Sequence, residues 1–339
     1  MRAAVFYDVD DIRIEELADP VCGPGDIVVE TRACGICTGE LMAWYMRQKA
    51  PFVFGHEPAG VVVEVGAHVR DFAVGDRVFV HHHAPCFACR HCRRGVYVQC
   101  ETWKKSRLDP GGMAERFRVA AVNQRDTLRL PDHVSWEGGA LVEPLACAVQ
   151  AITRARMRPG DTVLVVGLGF MGQLLAKAAW AFGAGRVLAA DFVPARRKLA
   201  ERLGASLVFD PAEAPLAEQV KEATGGELAD VVLVGPPDVR AMREGLACAG
   251  RGASVVLFSP APPGEALVVD VHDIYFRDVC VIPSYSCGPE DTRRALALIS
   301  GGAIVPEELV THRFPFEKTP EAYAAMRGGG EVLKAVIHF

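Results

Sequence analysis

The sequence predicts an α/β protein built on a doubly wound parallel sheet, with shorter β-rich stretches before and after it. Three observations carry this. From about residue 160, strand-like and helix-like segments alternate; the first 80 residues hold valine-rich runs without that alternation; and 339 residues are enough for two domains.

Composition narrows the function. Half of the residues are hydrophobic and 23% are charged, the balance of a soluble globular chain. A net charge of −5 offers no pull toward nucleic acid or a membrane surface. The start, Met1 to Phe6, runs straight into Asp8, Asp10 and Asp11 and lacks the apolar core of a signal peptide. The apolar stretch from Thr162 to Ala176 holds three glycines and falls short of the roughly 18 residues that span a bilayer. The expectation is a cytoplasmic protein with no nucleic-acid or membrane partner.

Taken in order, Asp26–Glu30, Gly60–Gly66 and Asp76–Val80 read as strands of a small twisted barrel or sandwich, with a turn over Val69–Asp76. Thr162–Val166 is a buried strand, Phe170–Phe182 a helix with almost no polar face, and Arg186–Ala190 a second strand. Pro194–Leu203 is a helix with proline where helices accept it, followed by strand Ser206–Phe209 and helix Leu216–Ala223. Strand Asp230–Val234, helix Val239–Ala249 and strand Ala253–Phe258 repeat the unit. Pro289–Ser300 reads as a helix, and Leu309–Phe314 and Val332–Phe339 as β-like segments able to rejoin the first domain.

Gly167-Leu168-Gly169-Phe170-Met171-Gly172 is a GxGxxG motif between a strand and a helix, and Asp191 ends the next strand 19 residues after Gly172. That context is the dinucleotide-binding (Rossmann) fingerprint. Gly167 permits the tight turn, Gly169 lets the backbone approach a pyrophosphate, and Gly172 lets helix and strand pack. Phe170 and Met171 open the helix whose unpaired amides face the phosphates. Asp191 would accept the adenosine ribose hydroxyls and repel a 2′-phosphate, which favours NAD over NADP. Arg196 and Arg197 temper this, because an arginine can receive that phosphate.

Cys86, Cys89, Cys92 and Cys100 fall within 15 residues. In a reducing compartment such clustering points to metal rather than disulfides, and four thiolates at this spacing close a tetrahedron around one structural zinc. An iron–sulfur cluster would use the same ligands, but no redox-partner signature accompanies them. His81-His82-His83 lies just upstream; alternation along a strand keeps three consecutive side chains off one ion, so they read as strand-end or surface residues, one of them available to a site wall.

Cys37 follows Gly35-Ile36, His56 and Glu57 sit in Gly55-His56-Glu57-Pro58-Ala59-Gly60, and Glu143 precedes Pro144-Leu145. Together these pieces resemble the zinc-dependent medium-chain alcohol and polyol dehydrogenases. Gly55 to Val69 fits the GHExxGx5Gx2V zinc signature, and the cysteine spacing, the position of the glycine motif and the ending Thr311–Phe316 with Val332-Leu333-Lys334 agree along essentially the whole chain.

The resemblance implies a Rossmann domain, residues 150–287, inserted into a GroES-like catalytic domain made of 1–149 and 288–339. It implies a catalytic zinc on Cys37, His56 and an acid: Glu143, as in sorbitol- and threonine-dehydrogenase-like members, with Glu57 ligating or exchanging with water. With the cysteine cluster this makes two zinc ions per chain. The implied reaction passes hydride between NAD(H) and a secondary alcohol or ketone, a polyol or sugar-derived alcohol fitting best, in a homodimer or homotetramer. A threonine-3-dehydrogenase-like enzyme and a catalytically impaired zinc- and nucleotide-binding protein are the alternatives.

The chain departs from the family beside Cys37. Many relatives read Gly-Thr-Asp or Arg-Ser-Asp there; here it is Thr38-Gly39-Glu40, and Met42 stands where some relatives carry a relay histidine. Thr38, Glu57 or water is left to carry the substrate proton. Glu40 keeps the acid that orients the zinc histidine. Trp44, Tyr45 and Met46 read equally as pocket or core, and Tyr285, Ser286 and Cys287 lie where the chain returns to the first domain.

Overall fold

The computed structural model describes residues 1–329 and 332–339. The chain divides into two compact units, Met1–Ala146 with Cys287–Phe339, and Cys147–Ser286. These borders lie a few residues before the expected ones.

In chain order the N-terminal segment carries β1 (Arg2–Asp8), β2 (Asp11–Glu16), β3 (Ile27–Gly35), β4 (Phe52–Val53), β5 (Glu57–Val65), β6 (Arg77–Val80), β7 (Arg116–Val119) and β8 (Thr127–Arg129). The middle segment carries β9 (Thr162–Val166), β10 (Arg186–Ala190), β11 (Leu207–Phe209), β12 (Ala229–Val234), β13 (Ala249–Leu257) and β14 (Cys280–Pro283). The returning segment adds β15 (His312–Pro315) and β16 (Ala335–His338).

The first unit holds a three-stranded sheet, β2-β1-β4, and a seven-stranded sheet, β15-β16-β3-β5-β6-β8, with β7 also paired to β3. Its strands follow from β-branched and aromatic residues at alternate positions: Ile27, Val29, Val62, Val78, Val80, Phe117 and Val119 belong to one core cluster. Two registers build the site. β3 and β5 run antiparallel with Gly35 opposite Glu57, so Cys37, just beyond β3, meets His56, just before β5. β16 pairs with the other edge of β3, Val336 opposite Gly35, which brings Lys334 to the same place. Gly35 is required there, since a Cβ would come within 1.9 Å of a Glu57 carboxylate oxygen.

The second unit is a six-stranded parallel sheet, β11-β10-β9-β12-β13-β14. β9 and β10 are almost wholly buried, as expected of strands covered on both faces. The chain starts at β9, steps outward to β10 and β11, then returns to β12 on the other side of β9. That reversal is the switch point of such sheets, and the Gly167 loop follows β9 directly.

Several elements sit where the sequence puts them, including β9, β10 and the helices Leu216–Ala223 and Pro289–Ser300. Others shift. The Asp26–Glu30 strand continues to Gly35, and the segment expected over Leu309–Phe314 becomes strand only from His312, after a short helical turn at Pro306–Glu308. Cys248 caps the helix Val239–Ala247, so β13 begins at Ala249. The sequence reading does not single out the hairpin β1–β2, strand β14 or the helix Thr319–Arg327.

Candidate active site and metal centres

Cys37 caps the short turn Thr38–Leu41: its Sγ accepts the Gly39 amide at 3.3 Å, and Glu40 accepts the Cys37 amide at 3.3 Å. Glu40 is buried, and its Oε1 also accepts the Gly55 amide and the His56 Nδ1 proton, both at 2.9 Å. Burial opposes the Glu40 charge, but His56 and the amide donors overcome it and hold the carboxyl below its ordinary range. With Nδ1 committed, the other nitrogen of His56 is left for a metal.

Ligand atoms of Cys37, His56 and Glu57 all lie within 4.8 Å of one another. Glu57 Oε1 is buried without a hydrogen-bond partner, the orphan that a cation would satisfy. Thiol, imidazole and carboxylate are zinc's donor set, so these residues fit the ion. Glu143, in the first turn of the helix Val142–Ala155, falls in a neighbouring group: a carboxylate oxygen lies within 4.8 Å of ring nitrogens of His81 and His82. Burial, with the charge of Glu143 added to it, raises the Glu57 pKa against the pull of Lys334 and His56. Thr38 is exposed. Met46 is core, whereas Trp44 and Tyr45 are each more than a third exposed.

The sulfurs of Cys86, Cys89, Cys92 and Cys100 also lie within 4.8 Å of one another, with Cys86–Cys92 at 3.9 Å and Cys89–Cys92 at 3.5 Å. Four Zn–S bonds of about 2.3 Å require sulfurs roughly 3.8 Å apart, so the cluster fits zinc too. Amides of Ala88 and Cys89 hold the Cys86 thiol below its ordinary range. Against burial, amides of Cys86 and Trp103 hold Cys100 at about 6. Both are therefore prepared to bind as thiolates.

In the second unit, Gly167 has φ of +85° and a Cβ there would strike Pro236 at 2.6 Å. A Cβ on Gly172 would lie 1.9 Å from the Gly167 carbonyl oxygen, whereas one on Gly169 would enter open space. Gly169 caps the helix Phe170–Ala181 without any side-chain bond, and a helix N-terminus of this kind attracts an anion. This is a cradle that fits a pyrophosphate, with Phe170 and Met171 in its first turn. Asp191, buried, accepts the amides of Leu168 and Val193 at 2.7 Å each. Arg196 stands 3.7 Å from Asp191, while Arg197 is tied to Asp210 at 2.8 Å and to the carbonyls of Asp191 and Phe192.

Residues 23–132 match the alcohol dehydrogenase GroES-like domain, and residues 170–301 the zinc-binding dehydrogenase domain. The chain is similar to a sorbitol dehydrogenase from Bombyx mori, 32% identical over 99% of this chain and 98% of that protein. The chain is a zinc-dependent medium-chain dehydrogenase. Its fold is similar to the 2R,3R-butanediol dehydrogenase of Bacillus subtilis, with TM-score 0.88 and 27% identity over 100% of this chain and 99% of the other. It is likewise similar to a zinc-binding dehydrogenase from Sinorhizobium meliloti 1021 bound to NADP, with TM-score 0.90 and 27% identity over the same shares. Membership makes this dehydrogenase an oxidoreductase of the GroES-like and Rossmann architecture that uses zinc and a nicotinamide cofactor.

The dehydrogenase also holds site residues that sequence reasoning did not find. Lys334, fully buried, donates to Glu57 and, at 3.0 Å, to the Ile36 carbonyl. Only the β16–β3 register brings it there. Gln173 is buried and braces the cofactor loop, donating to the carbonyls of Leu168 at 3.1 Å and Arg196 at 2.9 Å; its place in the glycine-motif helix was the available signal. The histidines do follow the end of a strand, but the reading of them as surface residues needs correction. His81 is fully buried, its Nδ1 bonded to Asp126 at 2.6 Å, and Asp126 also accepts the Thr292 hydroxyl at 2.6 Å. β6 ends at Val80, so strand alternation does not govern these residues, and the rings of His81, His82 and His83 contact one another.

No helix among the described residues is long and apolar enough to cross a membrane.

Proposed function

We propose that the chain oxidises a secondary alcohol group of a polyol or sugar-derived alcohol, or reduces the matching ketone, using NAD(H). The observation that carries this is the convergence of Cys37, His56 and Glu57 within 4.8 Å, with His56 oriented by Glu40. Zinc bound there would lower the pKa of a substrate hydroxyl, and NAD would take the hydride. Cys37 and His56 hold the ion, and Glu57 or Glu143 completes its protein ligands. Lys334 keeps the Glu57 carboxylate compensated in a dry site, and Glu40 fixes the His56 tautomer. Thr38 is exposed beside Cys37, where its hydroxyl or a water it holds can pass the substrate proton outward. Cys86, Cys89, Cys92 and Cys100 hold a second, structural zinc.

In the second unit, the amides after Gly169 hold the pyrophosphate and Asp191 takes the ribose hydroxyls. A 2′-phosphate would meet Asp191, which supports NAD over NADP, although Arg196 stands close enough to offset part of that charge. None of the eleven cysteines is paired in a disulfide, which supports work in the cytoplasm. β14 is an open sheet edge, and Val268, Val271, Tyr275 and Phe276 just before it are between 67 and 76% exposed. Such an edge and patch support a homo-oligomer.

Absorbance of the reduced cofactor, followed on a panel of polyols, hydroxy amino acids and simple alcohols with NAD and then NADP, tests the reading. Turnover of polyols with NAD is expected; turnover of hydroxy amino acids alone, or none at all, would overturn it.

A further inference from the structure

Glu40 organises the ligand set of Cys37, His56 and Glu57. Its side chain accepts the Cys37 amide at 3.3 Å, and its Oε1 accepts the Gly55 amide and the His56 Nδ1 proton at 2.9 Å each. One carboxylate therefore orients Cys37 and His56 together. It can do so only if its own backbone is held in place. The group that holds it comes from the far end of the sequence.

The Tyr323 hydroxyl donates to the Glu40 carbonyl at 2.6 Å, across 283 residues of chain. Tyr323 lies on the helix Thr319–Arg327 and is 1% exposed. Its ring packs edge-on against Phe54, at 5.9 Å, and Phe6, at 6.1 Å, in a core cluster with Ile36, Met46 and Phe316. A phenylalanine would fill that space without burying a hydroxyl, which is unfavourable unless the hydroxyl is bonded. The ring accounts for the packing; the hydroxyl is spent on Glu40. The same returning segment ties down the other end of the turn. Lys334 Nζ donates to the Ile36 carbonyl at 3.0 Å, and the Ile36 amide donates to the Ala335 carbonyl at 3.1 Å. Cys37 thus lies between two residues, Ile36 and Glu40, that are both anchored to Tyr323, Lys334 or Ala335.

We propose that Tyr323 is a positioning residue for the catalytic ion. By holding the Glu40 carbonyl it sets the Glu40 carboxylate, and through that carboxylate it places both Cys37 and His56 before a metal binds. This rests on the zinc-dependent reading above. Ligands ordered in advance lose less conformational entropy when the ion arrives, so the hydroxyl contributes to metal affinity without touching the metal. Its effect is bounded by the net worth of one buried hydrogen bond, which corresponds to roughly 3- to 10-fold in affinity.

The test is Tyr323→Phe in the full-length, zinc-loaded protein, which keeps the ring and removes the hydroxyl. Chelator competition should find the ion at Cys37 and His56 held ~3- to 10-fold more weakly, with the cysteine cluster unchanged and the melting temperature close to wild type. With cobalt(II) in place of zinc, the sulfur-to-metal absorption of Cys37 should shift, a change that loss of core packing alone would not produce. In a Glu40→Gln background, Tyr323→Phe should weaken the ion little further, because both act through one carboxylate. An affinity and a cobalt spectrum equal to wild type in Tyr323→Phe overturn the assignment. So does a fully additive loss in the double variant. If Tyr323→Phe does not fold, 3-fluorotyrosine placed at 323 keeps the ring and makes the hydroxyl a stronger donor. Tighter binding of the ion is then expected, and an unchanged affinity overturns the assignment. A silent Tyr323→Phe leaves the zinc-dependent reading standing, whereas a wild type that binds no ion at Cys37 and His56 sinks both.

Discussion

The two candidate metal-ligand clusters of the first unit are built in opposite ways. Cys86, Cys89, Cys92 and Cys100 come from one stretch of chain, offer four like ligands and take part of their support from amides within the stretch. Cys37, His56 and Glu57 come from two strand ends, offer three different ligands and depend on Glu40 and Lys334 from elsewhere. Four thiolates fill a tetrahedron and leave no room for a substrate, so such a cluster can only hold the fold together. Three protein ligands would leave a fourth position open, and burying the Glu57–Lys334 ion pair works against stability. On the proposed reading, one cluster would stabilise the unit and the other would be maintained at its expense.

That contrast can be broken by removing one ligand from each. Cys92→Ser should lose one zinc per chain by elemental analysis and lower the melting temperature by ~10 °C or more. A variant that keeps its melting temperature would show that the cysteine lobe is not structural. His56→Ala should also lose one zinc, yet melt close to wild type while kcat/KM falls on the order of 10⁴-fold. If it instead unfolds and Cys92→Ser does not, the two roles are reversed.

Smaller changes sharpen the contrast around the open cluster. Lys334→Met leaves the Glu57 carboxylate buried and uncompensated, with an expected loss of about 3 kcal/mol in denaturant unfolding. No loss would mean that Glu57 is protonated in the folded protein and that Lys334 does not balance it. Glu40→Gln keeps the shape but not the charge that orients His56, so zinc affinity at this cluster should fall ~10- to 100-fold in a chelator competition while the cysteine cluster keeps its ion. Equal weakening of both ions would place Glu40 in the fold rather than in the site.

How much of this was legible follows from how local each feature is. The cysteine cluster and the glycine motif are runs of fewer than 20 residues whose spacing itself sets the geometry, and the structure gathers each of them. β9 and β10 were legible because buried parallel strands are continuous apolar runs. The helix Thr319–Arg327 was within reach: Ala322, Tyr323 and Met326 are its buried face at helical spacing. β14, four half-exposed residues at a sheet edge, gives almost no pattern.

The sequence by itself determined the α/β class, both zinc ligand sets as candidates, the cofactor loop and the kinship, because each is written in residue types and short spacings. Only the tertiary structure decided which distant groups share a site. Lys334 lies 277 residues from Glu57, and Thr292 lies 166 residues from Asp126. Their meeting depends on strand register and helix packing, where one residue of slip turns a side chain to the other face. The same reason explains His81 and His82: a strand that stops at Val80 ends the alternation, and only the folded chain shows where those rings then turn.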